Sequence, residues 1–170
     1  MAIADITIDK SRDILLVGHR KESGAVLDRE ILEFLSATGA IEPQPTDETY
    51  SSFRAIFRRS NYFILRAAPP KPNKFLIVKI SRSKRPFWGI GKDFLDPLNK
   101  FEQINYFLVL LVSGKEGWVF SREEVNANIR SQKWKLREAD NNYKINWPLP
   151  DANSFTSPKT FLKRVGDVST

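Results

Sequence analysis

Phe75-Leu-Ile-Val-Lys-Ile80 is apolar at every position but Lys79, and that lack of alternation decides the fold class. A strand with one solvated face alternates apolar and polar residues, whereas a strand covered on both faces reads as a near-continuous apolar run. Tyr106-Phe-Leu-Val-Leu-Leu-Val112 has the same character. Two such runs in a chain that also carries helix signatures predict an α/β fold, with a mixed central sheet flanked by helices. Upstream, residues 26–41 read as a helix with Asp28 as N-cap, an apolar stripe of Ile31, Leu32, Phe34 and Leu35, and a stop at Gly39. Phe53–Arg59 and Tyr62–Arg66 read as two more strands, with the proline-rich Ala68–Lys74 as a hairpin connection. Ile14–Val17 is a candidate edge strand.

Downstream, Asp96-Pro97 has the signature of an N-cap and first-turn proline, for a helix running to about Ile104. Gly117–Phe120 reads as a short strand. Ser121-Arg-Glu-Glu124 is a capping box opening a helix to about Arg130. Tyr143–Asn146 is a candidate last strand, and Ser157-Pro158 caps a helix through Arg164. No repeat or linker divides the 170 residues, so residues 1–170 are expected to form a single domain.

No apolar run approaches the roughly 20 residues of a membrane span, and the sequence predicts no membrane partner. Met1–Lys10 lacks the basic-then-apolar layout of a secretory signal, so the expected location is cytoplasmic. With no cysteine, the chain has no disulfide, thiol nucleophile or Cys-containing zinc site. Its one histidine, His19, excludes a His-rich metal site and carries no spacing that marks a catalytic partner.

The net charge of +7 points to a polyanion, and its distribution says more than its total. Residues 51–92 hold eleven bases and no acid, whereas residues 1–50 hold five bases and ten acids, and residues 93–170 hold eleven bases and ten acids. An ordinary salt-bridged surface mixes both signs. Within the acid-free segment, Arg54, Arg58 and Arg59 interleave with Phe53 and Phe57, and Arg82, Lys84 and Arg85 precede Phe87 and Trp88. Bases neutralise phosphates and release counterions, while exposed aromatics stack on unpaired bases. The candidate nucleic-acid-binding residues are therefore Arg54, Arg58, Arg59, Arg66, Lys79, Arg82, Lys84, Arg85, Trp88 and Lys92, with Trp88 the aromatic placed on the surface. Arg130, Lys133, Lys135 and Arg137 around Trp134 form an auxiliary cluster, interrupted by Glu138 and Asp140.

The loop Ser81–Lys92 ends in Gly89-Ile-Gly-Lys92, but it is not a phosphate-binding loop. That motif needs a glycine where Pro86 stands and a Ser or Thr where Asp93 stands. The two glycines are expected to permit tight turning beside Phe87 and Trp88. Asp93 and Asp96 read as helix-start acids favoured by the helix dipole, and so do Glu123 and Glu124.

The order of elements from about Asp28 to Val112, α-β-β-β-α-β, with Lys79 near the end of the third strand, resembles the core of the restriction-endonuclease-like, or PD-(D/E)xK, nucleases. In that family the third strand carries an acid-x-Lys triplet and the preceding strand an Asp, which together hold a divalent metal that activates water. Here the triplet is Ile77-Val78-Lys79, and residues 61–66 contain no acid. The resemblance thus implies the fold and argues against the activity, unless Glu30, Asp47, Glu48, Asp93 or Asp96 supplies displaced carboxylates.

Three functions remain open from the sequence. The first is a nucleic-acid-binding protein, DNA before RNA, that grips the phosphate backbone through a basic face and uses no cofactor. The second is an Mg²⁺-dependent nuclease with displaced carboxylates. The third is an interaction or inhibitor module for an acidic protein partner. A defence, mobile-element or DNA-processing setting follows from fold analogy alone.

Overall fold

The computed structural model describes residues 27–42, 62–67, 70–100 and 105–166. The candidate strands Ile14–Val17 and Phe53–Arg59 lie outside these residues, as do Arg54, Arg58, Arg59, His19, Asp47 and Glu48.

The first helix, α1 (Arg29–Thr38), starts after Asp28 and ends at Gly39, whose φ of 81° is the left-handed conformation that glycine adopts without a Cβ penalty. Asp28 makes no side-chain cap bond; its carboxylate instead meets Arg82 at 3.0 Å. Strands β1 (Tyr62–Leu65) and β2 (Lys74–Ile80) then form an antiparallel pair, with Tyr62 opposite Ile77 and Leu65 opposite Lys74.

Residues 81–92 contain a strand rather than only a loop. β3 (Phe87–Gly91) runs through both glycines and passes directly into helix α2 (Lys92–Asn99). The helix therefore starts four residues before the expected Asp96 cap and encloses Pro97. Asp96 pairs with Lys92 one turn back, while Asp93 occupies the first turn.

β4 (Tyr106–Leu111) is buried at every residue and lies parallel to β2, with Ile77 opposite Leu108. β5 (Gly117–Ser121) pairs antiparallel with β4. Ser121 then caps α3 (Arg122–Arg130): its hydroxyl accepts from the Glu124 N–H, and the Glu124 carboxylate accepts from the Ser121 N–H. β6 (Lys135–Arg137) has no counterpart in the sequence reading; it pairs with β7 (Asn142–Asn146). A short strand, β8 (Ser154–Phe155), and helix α4 (Pro158–Val165), capped by Ser157, complete the described chain.

These strands form two sheets, one of five strands in the order β1-β2-β4-β5-β8 and one of three in the order β3-β7-β6. Side-chain alternation in β2 and β4 gives the larger sheet two buried faces, which is why their sequences are continuously apolar. Leu76, Val78, Phe107, Val109 and Leu111 pack with Phe34 of α1 and Phe161 of α4. On the other face, Ile77, Leu108 and Leu110 pack with Leu95 of α2, Val125 of α3, and Trp88, Ile90 and Ile145 of the smaller sheet. The chain is thus α/β, and its described residues form a mixed central sheet, a second small sheet and four helices. Among the described residues, no helix is long and apolar enough to cross a membrane.

A candidate nucleic-acid interface

The connection from β2 to β3 is held at both feet by the end of β4. The Ser81 N–H donates to the Leu111 carbonyl at 3.0 Å, and the Trp88 indole Nε1–H donates to that same carbonyl at 3.2 Å. The Ser81 hydroxyl in turn accepts from the Phe87 N–H. Between these anchors Arg82, Ser83, Lys84 and Arg85 are all exposed.

Their electrostatic situations differ. Arg82 makes a two-pronged contact with Glu30, from Nε at 2.9 Å and from Nη2 at 2.6 Å, and also meets Asp28. Its guanidinium holds the Glu30 carboxyl down to about 2 by hydrogen bonding, while Glu30 and Asp28 raise the pKa of Arg82 itself. Two carboxylates against one guanidinium leave this cluster negative, so Arg82 ties the loop to α1. Lys84 and Arg85 have no hydrogen bond or ion pair among the described residues and present free positive charge.

Below this loop is a cleft of about 440 Å³ whose lining includes Lys79, Ser81, Ser83, Arg82, Phe87 and Gly89. It opens at the carboxyl end of β2, the end of parallel strands where α/β sheets usually bind ligands. Lys79 shares the side of β2 that carries Ile77 and faces the smaller sheet. It is half-buried, and removal from water pushes its ammonium pKa down.

The adjacent aromatics are placed opposite to the sequence expectation. Trp88 is core, 3% exposed, and edge-on to Trp118 with centroids 5.7 Å apart. Phe87 is 54% exposed, and Trp147 is 44% exposed. The reason is strand alternation: once Phe87–Gly91 is a strand, only one of two successive residues can face the core. The Trp147 N–H donates to the Pro86 carbonyl at 3.1 Å, one rung beyond the Phe87–Asn146 pair, so by alternation Trp147 lies on the side of Ile145 rather than that of Phe87.

The remaining basic candidates are dispersed. Lys92 pairs with Asp96, which raises its pKa. Arg66 and Lys71 are exposed, and Lys74 is buried at the start of β2. At about 3.3 Å per residue, this end of β2 is roughly 17 Å from Lys79. Lys71 and Lys74 line a second cleft, of about 700 Å³, but they share it with Glu123, Glu124 and Arg164. Apart from Lys92, at the start of α2, the described bases of residues 51–92 therefore divide between the two ends of β2.

The auxiliary cluster has a clearer place. In the smaller sheet Trp134 and Ile145 are buried, while Lys135, Arg137 and Asn146 are exposed and Lys144 is half-exposed. Register puts Lys144 between Gly89 and Lys135, and Asn142 between Gly91 and Arg137. Asp140 accepts from Lys144 at 3.0 Å and meets Arg137 at 3.5 Å; Lys144 is the main cause of its lowered pKa.

Among the described residues, no group of three or more His, Cys, Asp or Glu side chains comes together to hold a metal ion. Comparison with protein-family models, with curated proteins and with solved structures finds no match.

Proposed function

We propose that the protein binds nucleic acid, with DNA as the first candidate, and does so without catalysis of its own. The observation that carries this reading is the juxtaposition of Lys84 and Arg85, cations without a partner among the described residues, with the exposed ring of Phe87. Phosphates accept charge from the first two, and a base covers the third. Lys79 in the cleft and Lys144, Lys135 and Arg137 on the smaller sheet extend the positive surface on either side of Phe87. Arg82 supports the same surface by fixing the loop on α1.

A labelled oligonucleotide titrated between about 50 and 200 mM salt tests the proposal. Log affinity should fall linearly with log salt, and Lys84→Ala with Arg85→Ala should reduce the slope by about 2, at about 0.9 per lost contact. Thermal unfolding of the double variant should match that of the parent. A slope near zero, or no binding at the lowest salt, overturns the reading.

A metal-dependent nuclease is the second reading, and one observation favours it: Asp28 lines the same cleft as Lys79, with Glu30 beside it. A cation there would have to displace Arg82 from both carboxylates. Plasmid nicking in Mg²⁺ or Mn²⁺ that disappears in Glu30→Gln supports this reading; intact plasmid at ample protein retires it.

A further inference from the structure

The outward face of the smaller sheet has a composition that its own fold does not explain. Phe87, Gly89 and Gly91 on β3 alternate with the buried Trp88 and Ile90, and across from them stand Asn146, Lys144 and Asn142. Gly89 has no positive φ, and a Cβ built on it would meet its nearest neighbours at 3.8 Å, an ordinary contact. Neither backbone conformation nor internal packing therefore requires glycine here, although glycine weakens a strand interior. What the missing side chain leaves, directly beside an exposed phenylalanine ring, is a hollow bordered by the Lys144 ammonium, 3.8 Å from where the Cβ would stand, so that a ligand approaching the backbone of β3 meets a cation there.

We propose that this face takes a single-stranded nucleic acid, one base against Phe87 and the next over the gap at Gly89, with phosphates along Arg85, Lys144 and Lys135. The proposal rests on the nucleic-acid reading above and adds the strand state of the ligand. Three observations point the same way. Phe87 offers an exposed ring face, and only an unpaired, unstacked base has a free face to cover it; in a duplex each base is already stacked on its neighbours. Lys135, Arg137 and Lys144 outnumber Asp140, the acid that Arg137 and Lys144 share, so the face is complementary to a polyanion. Exposed ion pairs of this kind contribute little to stability, and phosphates can replace the carboxylate at small cost. The face is also the right size. Three strands about 4.8 Å apart and a five-residue β3 give roughly 10 by 13 Å, which accommodates two or three nucleotides.

The test compares a single-stranded oligodeoxynucleotide of about 15 nucleotides with a duplex of equal length, read by anisotropy. The single strand should bind at least about tenfold more tightly. Phe87→Ala should weaken single-strand binding by about tenfold, the scale of one lost base stack. Gly89→Ala and Gly89→Val should weaken it as well, while circular dichroism and melting stay at or above the parent. Duplex bound as tightly as single strand, or Phe87 and Gly89 variants that bind like the parent, overturns this inference and leaves the nucleic-acid reading standing. Binding to neither oligonucleotide overturns both.

Discussion

The two sheets differ in what their second face does. In the five-stranded sheet both faces are covered, by α1 and α4 on one side and by α2, α3 and the smaller sheet on the other. Its central strands β2 and β4 are accordingly apolar at every position but Lys74 and Lys79, and their buried residues have little freedom to be anything else. The three-stranded sheet buries only Trp88, Ile90, Ile145 and their neighbours, so every second position is released from packing. Those released positions hold Phe87, Gly89, Lys144, Asn146, Lys135 and Arg137. A candidate function is found where the core does not dictate the residue.

The largest test of that contrast uses two neighbouring aromatics. Trp88→Ala should cost about 3–5 kcal/mol, the range for a large aromatic removed from a core, because it empties a site beside Trp118 and removes the bond to Leu111. Phe87→Ala should stay within about 0.5 kcal/mol of the parent, as exposed substitutions do. Equal losses in urea denaturation would erase the distinction between the two faces of β3.

A smaller effect is expected at the junction of β5 and α3. Ser121→Ala removes one half of the capping box and should cost about 1 kcal/mol, and Ser121→Asp should restore most of it. Since α3 covers the larger sheet, the loss should appear in global unfolding rather than in oligonucleotide affinity.

The smallest expected effect is a pH dependence at the clamp between α1 and the basic loop. Glu30 has its pKa lowered from 4.5 to about 2 in the fold. Its contribution is therefore complete above about pH 4.5 and is lost as pH falls toward 2. Melting temperature followed through that window should drop in the parent and drop less in Arg82→Met. Identical acid profiles would show that the contact has no share in stability.

The larger sheet was legible in the sequence because double burial writes itself as an apolar run: Phe75–Ile80 and Tyr106–Leu111 could be read directly. The capping signatures at Ser121, Ser157 and Gly39 were equally plain, since each states a backbone need in one residue. The smaller sheet was harder. Tyr143-Lys-Ile-Asn146 could be read as a strand, but in Trp134-Lys-Leu-Arg137, which alternates as well, lysines and arginines so close together also read as a charge cluster. Proline, two glycines and four bases likewise made Ser81–Lys92 read as a connection, and that assignment hid the alternation placing Trp88 inside and Phe87 outside. The pairing of Arg82 with Glu30 spans fifty-two positions, a distance over which charge counting along the chain carries no information.

β3 lies between β2 and β4 in the chain, whereas β6 and β7 follow α3. Any cut between residues 92 and 134 consequently separates Phe87 and Gly89 from Lys135 and Lys144, so neither piece left by such a cut carries the whole candidate surface. The same threading makes its assembly part of global folding. A ligand held there favours the whole native chain over the unfolded one, by RT ln(1 + [L]/Kd). Occupancy of the outer face is therefore thermodynamically coupled to the persistence of the larger sheet, although no residue of that sheet need touch the ligand.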